Sequence, residues 1–118
     1  MFVFFIALLG CNKDQSNNTA QNNSTQTLNV KYEVIATDLY RLVYTNATGS
    51  VIELNNQSGN FGLEFKLTGS VLNKKSVQVA AYSNSNSSIL TARVYVNGII
   101  YKEATGNSVI CSGWLPEN

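Results

Sequence analysis

Histidine is absent from this chain of 118 residues, and charged residues make up only 13% of it. Without histidine, the chain lacks the commonest general base and the commonest protein ligand for metals. The acidic residues between positions 30 and 115 are far apart in sequence, at Glu33, Asp38, Glu53, Glu64 and Glu103. There is no glycine-rich phosphate loop, nucleophile elbow or cysteine cluster. We therefore expect a protein that is not an enzyme, with no catalytic residue, cofactor or metal site.

Excess charge and long apolar runs are also missing. A net charge of +1 gives no overall attraction to nucleic acid or to anionic lipid, so we expect no nucleic-acid partner. The apolar run at residues 2–9 is much shorter than the roughly 20 residues that a membrane-spanning helix needs. It becomes abruptly polar at residues 12–15, and this length is typical of the apolar region of a signal peptide.

The apolar run ends in Leu8, Leu9, Gly10 and Cys11. This ending resembles the lipobox of bacterial lipoproteins. The resemblance implies that residues 1–10 are a signal peptide cleaved before Cys11, whose sulfur then carries a diacylglyceryl group. It implies that the protein lies in the bacterial cell envelope, and we expect it on the outer membrane. Whether it faces the periplasm or the cell surface is undecided from the sequence. No Lys or Arg precedes the apolar run, so we expect the true start upstream or a trimmed sequence.

Polar residues dominate the segment after the cysteine. Residues 12–29 are almost all Asn, Gln, Ser and Thr, and Leu28 is their only large aliphatic side chain. Such a composition cannot bury enough apolar surface to offset the entropy of ordering. We therefore expect residues 11–29 to be the lipidated cysteine and a flexible tether spanning roughly 20–25 Å. Lys13 and Asp14 resemble the charged export signals of surface lipoproteins, which leaves a surface destination open.

Residues 30–118 are predicted to form one all-β domain. Alternation is clearest at residues 61–67, where the side chains that share one apolar face are Phe61, Leu63, Phe65 and Leu67. Similar β-branched and aromatic runs lie at 30–36, 39–45, 50–54, 76–82, 89–96, 99–104 and 108–114. Seven to eight short antiparallel strands, separated by turn residues, predict a small β-sandwich.

The dipeptide Asn97-Gly98 is the strongest turn signal. It lies between two apolar runs and favours a type I′ hairpin, because both of its positions need positive φ. The two-residue loop predicts three opposed pairs, which are Val96 with Ile99, Val94 with Tyr101, and Ala92 with Glu103. We expect the core-facing side chains to be Val94, Val96 and Tyr101. Arg93 and Lys102 would oppose each other on the solvent side, a mildly repulsive pair unless an acid intervenes.

Four segments follow one another in an informative order: VKYEV at 30–34, YTNATG at 44–49, TARVYVNG at 91–98 and CSG at 111–113. Together they resemble the MmpS family, small membrane-anchored accessory proteins of lipid and siderophore exporters in mycobacteria, and related single-domain bacterial lipoproteins. The resemblance implies a small immunoglobulin-like β-sandwich over about 85 residues and a role beside a transporter. MmpS proteins use a transmembrane anchor, whereas this chain is expected to use lipid.

Cysteine usage departs from that family. MmpS proteins commonly have one cysteine just before the arginine of the hairpin, paired with another near the C-terminus. Ala92 stands at the first position and Cys111 at the second, so the resemblance implies that the disulfide is missing and that the two residues are neighbours. Cys111 is then either a small buried side chain or a thiol available for reaction or intermolecular pairing.

Two functions remain open from the sequence. The first is a non-catalytic accessory or adaptor module held at the membrane by Cys11, with an envelope protein such as an exporter as partner. The alternative is a surface or periplasmic lipoprotein with a ligand-binding or structural role and no transporter. No tyrosine is singled out as a binding residue, because tyrosine is also a common strand residue.

Overall fold

The structure is a computed structural model that describes residues 24–117. These residues form eight β-strands, which are β1 (Gln26–Ile35), β2 (Tyr40–Thr45), β3 (Val51–Gln57), β4 (Phe61–Gly69), β5 (Lys75–Ser83), β6 (Leu90–Val96), β7 (Ile99–Gly106) and β8 (Ser108–Leu115). No helix is present in this described range. The predicted all-β fold is confirmed, with each predicted run forming a strand.

The strands form two packed four-stranded sheets. The first sheet has the order β4-β1-β6-β7, and the second has the order β3-β2-β5-β8. Every pairing is antiparallel. The starts of the odd-numbered strands and the ends of the even-numbered strands therefore meet at one end of the sandwich. We call this the proximal end, because β1 begins there.

The core fills the space between the sheets. Its largest fully buried side chains are Tyr32, Tyr40, Leu42, Leu90 and Leu115. On β4 the predicted alternation is confirmed, since Leu67 is buried and Phe65 is partly buried against the core while Glu64 is exposed. Phe65 keeps some exposure because β4 is an edge strand of the first sheet.

The first strand begins earlier than predicted. β1 starts at Gln26, inside the segment 11–29 that the composition predicts as tether. Leu28 is buried and pairs with Leu67 of β4. Burial of this one aliphatic side chain accounts for the pairing of its polar neighbours, which extends the strand. Residues 1–10, with the predicted signal peptide, and Cys11 lie outside the described residues.

The hairpin between β6 and β7 forms as predicted at its tip. Asn97 has φ 52° and Gly98 has φ 81°, and Val96 pairs with Ile99. The predicted register further along is wrong, because a β-bulge at Tyr101 separates the pair Tyr95–Ile100 from the pair Val94–Lys102. An extra residue in one strand shifts all later pairs by one.

The bulge changes which charges meet across the sheet. Arg93 pairs with Glu103 instead of Lys102, and Ala92 pairs with Ala104 instead of Glu103. The predicted repulsive pair is therefore replaced by an attractive one. The predicted inward direction of the apolar side chains is confirmed, since Val94 is buried and Val96 and Tyr101 pack against the core.

Candidate binding surfaces

A network of charged side chains crosses the outer face of the first sheet. Arg93 donates from Nε to Glu103 at 2.5 Å and from Nη1 to Glu33 at 3.0 Å. The Tyr95 hydroxyl also donates to Glu33, at 2.9 Å. The hydrogen bond from Arg93 lowers the pKa of the Glu33 carboxyl, and the bond from Tyr95 adds to this. A carboxylate held ionised by two donors is suited to joining strands and unsuited to accepting a proton.

Cys111 lies in the core between β8 and β6. Its Sγ atom donates to the carbonyl oxygen of Ala92 at 3.4 Å, and both residues are buried. Burial raises the pKa of the Cys111 thiol, and the charge of Glu103 raises it further. Because the thiolate is the reactive form, this protonated thiol has the character of the small buried side chain, the first of the two interpretations.

Two buried tyrosines use their hydroxyls inside the fold. The Tyr32 hydroxyl donates to the carbonyl oxygen of Thr45 at 2.6 Å and accepts from the backbone N–H of Gln78 at 3.1 Å. The Tyr40 hydroxyl donates to the carbonyl oxygen of Gly59 at 2.9 Å. Burial raises the pKa of Tyr32 to about 12. These groups satisfy buried backbone atoms, so their role is to hold the sandwich together.

Neither a group of metal ligands nor a membrane-spanning helix occurs between residues 24 and 117. In that range no three His, Cys, Asp or Glu side chains are grouped so that they could hold a metal ion. Nor does the same range contain a helix that is long and apolar enough to cross a membrane.

The outer face of the second sheet carries a row of apolar side chains. Ala80 on β5 pairs with Val43 of β2 on one side and Ile110 of β8 on the other. Ile110 is 56% exposed, whereas Ala80 is covered by its neighbours although it faces outward. We call these three residues the apolar row. It reaches the edge strand β8, where a partner can approach.

A groove opens at the proximal end, between β7 and the end of β8. Its volume is about 290 Å³, and its apolar lining includes Leu28, Val96, Ile99, Ile100, Tyr101 and Pro116. The bulge turns the Tyr101 ring over Gly113, where a Cβ atom would lie 2.1 Å from the Tyr101 hydroxyl oxygen. Only glycine leaves room for this ring. The Tyr101 hydroxyl then reaches Glu117 at 3.4 Å.

Large apolar side chains are exposed at the same end of the sandwich as this groove, and one of them, Ile99, also lines it. Leu72 is 75% exposed, Ile99 is 73% exposed and Trp114 is 60% exposed. Leu72 occupies the turn between β4 and β5, which is closed by reciprocal backbone bonds between Ser70 and Asn73 at 3.1 and 3.0 Å. We call Leu72, Ile99 and Trp114 the proximal apolar cap.

Sequence reasoning missed this cap. Its one signal in the sequence is a leucine inside a turn, at Leu72 between Val71 and Asn73, followed by two lysines. A turn leucine has no strand neighbours to bury it, so its exposure is informative. The other two members are brought to the same end only by the antiparallel pairing.

Comparison with known proteins identified no relative of this chain, because no family model and no curated protein matches it. The MmpS-like resemblance of residues 30–113 therefore stays a proposal.

Proposed function

We propose that the protein is a lipid-anchored lipoprotein of the bacterial envelope that acts as a non-catalytic accessory or adaptor module. An exporter is one class of partner, following the MmpS-like segments. The membrane anchor is the lipid on Cys11. The observation that carries the adaptor role is the apolar row of Val43, Ala80 and Ile110 on the outer face of the second sheet.

The two outer faces of the sandwich differ in character. An antiparallel sheet that packs on one face usually presents polar side chains on the other. The first sheet follows this rule, with Lys31, Glu64 and Arg93 pointing outward. The second sheet departs from it along the apolar row. We infer that a partner contacts this face at Ile110, the exposed end of the row on the edge strand β8.

The described ionisable groups also favour binding over catalysis. Arg93 is held between Glu33 and Glu103, and the Cys111 thiol and Tyr32 hydroxyl are kept protonated by burial. None of these groups is poised near neutral pH to move a proton. A role in positioning a partner requires only a rigid surface and an anchor.

The alternative is a ligand-binding lipoprotein without a transporter partner, and the proximal groove favours it. A volume of about 290 Å³ is at the small end of ligand sites, and its apolar lining would suit a short hydrocarbon or ring. A structural surface role falls under the same alternative.

Metabolic labelling tests the anchor. With a complete signal, we expect the chain to incorporate radiolabelled palmitate, and Cys11→Ser to abolish the label, because the thioether needs the Cys11 sulfur. Cys111→Ser is the matched control and should keep the label, since this buried thiol is not the acceptor. A label that persists in Cys11→Ser would contradict the lipoprotein proposal.

Photocrosslinking in living cells tests the adaptor role. A photoreactive amino acid at position 110 should give a discrete adduct with one envelope protein, because Ile110 is the exposed end of the apolar row. The same group at Glu64, exposed on the other outer face, should give none. Equal adducts at both positions, or none at either, would remove the adaptor role and leave the ligand-binding alternative.

A further inference from the structure

We propose that the proximal end of the sandwich rests on an anionic lipid bilayer, with the proximal apolar cap entering the headgroup region. The anchored form of this arrangement rests on the proposed lipidation of Cys11. In this orientation the domain lies on the membrane by a defined end, and the opposite end, with the β5–β6 turn, points away from the bilayer.

Exposed apolar side chains lie at both ends of the sandwich, and the most exposed lie at the proximal end, where Leu72 is 75% and Ile99 is 73% exposed, against 60% for Ile89 and 45% for Leu39 at the other end. Leu72 comes from the β4–β5 turn, Ile99 from the first position of β7 and Trp114 from the second-last position of β8. They belong to different parts of the chain and reach the same end because every strand pair is antiparallel. Leucine, isoleucine and a single tryptophan at one end of the domain match the chemistry of an interfacial membrane contact, since indole prefers the boundary between water and hydrocarbon.

Charge is also distributed unevenly along the sandwich. The proximal end carries Lys66, Lys74 and Lys75 against one acid, Glu117. In the rest of residues 24–117 there are four basic and five acidic residues. The net charge of +1 is a sum over the whole chain and does not report this local separation, so we propose a local attraction to anionic lipid at the proximal end. Lysines beside apolar groups can extend their ammonium ends to lipid phosphates while their stems cover apolar surface.

The position of the anchor favours this end. β1 begins at Gln26, and fourteen residues separate it from Cys11. The tether predicted from the composition of these residues would have an end-to-end distance of roughly 20 Å. The proximal end is therefore the part of the domain that an anchored chain holds nearest to the bilayer. Docking then becomes an intramolecular step, so a small apolar cap suffices where free protein would need a larger one.

Trp114 provides a direct reporter, because it is the only tryptophan in the chain. The full-length lipidated protein is reconstituted into vesicles of phosphatidylcholine and phosphatidylglycerol brominated near the top of the acyl chains. Bromine quenches indole fluorescence only at short range. We expect strong quenching of Trp114 relative to unbrominated vesicles, reduced by Leu72→Ser and by high salt.

Substitution of the lysines tests the electrostatic part. Replacing Lys74 or Lys75 with Gln should shift the ratio of docked to undocked protein about fivefold for each lysine. Ile89→Ser is the matched control, because Ile89 is 60% exposed and lies at the opposite end, before β6. It should leave quenching unchanged.

Different results bear on the membrane docking of the proximal end and on the lipid anchor. If the protein floats with the vesicles but Trp114 is not quenched, the docking is overturned and the lipid anchor is retained. The same conclusion follows if Leu72→Ser and Ile89→Ser reduce the quenching equally. A protein that lacks palmitate but still shows Leu72-dependent quenching when mixed with vesicles would support the docking and overturn the anchor. A concentration-dependent blue shift of Trp114 without lipid would assign the cap to a second copy and overturn the membrane contact.

Discussion

Tyr32 makes a contact whose removal tests how the two sheets are joined. It belongs to β1 of the first sheet, yet its hydroxyl lies between Thr45 and Gln78 of the second sheet. The last backbone pair between β2 and β5 is Tyr44–Val79, and Thr45 and Gln78 are the next residues along the two strands. The hydroxyl thus stands between two backbone groups that would come next in the ladder. We predict that Tyr32→Phe destabilises the fold through these two groups.

The expected cost follows from the hydrogen bonds that are lost. Phenylalanine keeps the ring and its packing, including the edge contact with Phe65 at 5.2 Å between centroids. Two bonds disappear, each with a net value of about 1 kcal/mol, and a buried group left without a partner costs about 1–3 kcal/mol. We therefore expect Tyr32→Phe to lower the free energy of unfolding by about 2–4 kcal/mol.

Two other tyrosines provide a graded comparison in urea unfolding. Tyr40→Phe loses a single bond to Gly59 and should cost about 1 kcal/mol. Tyr44 makes no side-chain hydrogen bond within residues 24–117, so Tyr44→Phe should stay within about 0.5 kcal/mol. A Tyr32→Phe cost no greater than that of Tyr40→Phe would refute the reasoning, because it would mean that β2 and β5 close up and pair directly.

The same residue predicts an alkaline transition. Burial raises the pKa of Tyr32 from 10.0 to about 12, so the fold favours the protonated phenol. The stability that this preference contributes is fully present below pH 10 and is lost as the pH rises towards 12. Tyr32→Phe should therefore lose less stability than the parent protein across that interval when unfolding is followed by circular dichroism.

Three further predictions concern the core and the outer face of the first sheet. Ala92→Cys should oxidise with Cys111, whose Sγ lies 3.4 Å from the Ala92 carbonyl oxygen, and should stabilise the fold by roughly 3 kcal/mol; free thiols that persist after oxidation would contradict it. Phe65→Ala should cost about 2 kcal/mol, below the ~3–5 kcal/mol of full burial because β4 is an edge strand, while Glu64→Ala stays within ~0.5 kcal/mol; equal costs in denaturant unfolding would refute the register. The pKa of Glu33 is lowered in the fold by its bond from Arg93, so the stability that the carboxylate adds is present above its ordinary pKa and is lost as the pH falls. Glu33→Gln should therefore make the free energy of unfolding depend less on pH in the acid range. An unchanged dependence would show that the network is not coupled to folding.

The sequence was sufficient for the strands and for most of their faces. Alternation at residues 61–67 predicted β4 and its inward side, and Asn97-Gly98 predicted the hairpin with positive φ at both positions. These are local properties, because side-chain direction in a strand and backbone sterics in a two-residue turn depend on near neighbours. The sequence also contains the lipobox-like segment ending at Cys11, on which the proposed membrane anchor depends.

Tertiary structure decided what depends on distant parts of the chain. The bulge at Tyr101 set Arg93 opposite Glu103, and it fits only because Gly113 of another sheet leaves space for the ring. The early start of β1 followed from the pairing of Leu28 with Leu67, which is 39 residues away in sequence but adjacent in the sheet. The proximal apolar cap arose because antiparallel pairing carries Leu72, Ile99 and Trp114 to one end. Each of these features depends on contacts between residues far apart in sequence, so none of them can be predicted from a short stretch of sequence.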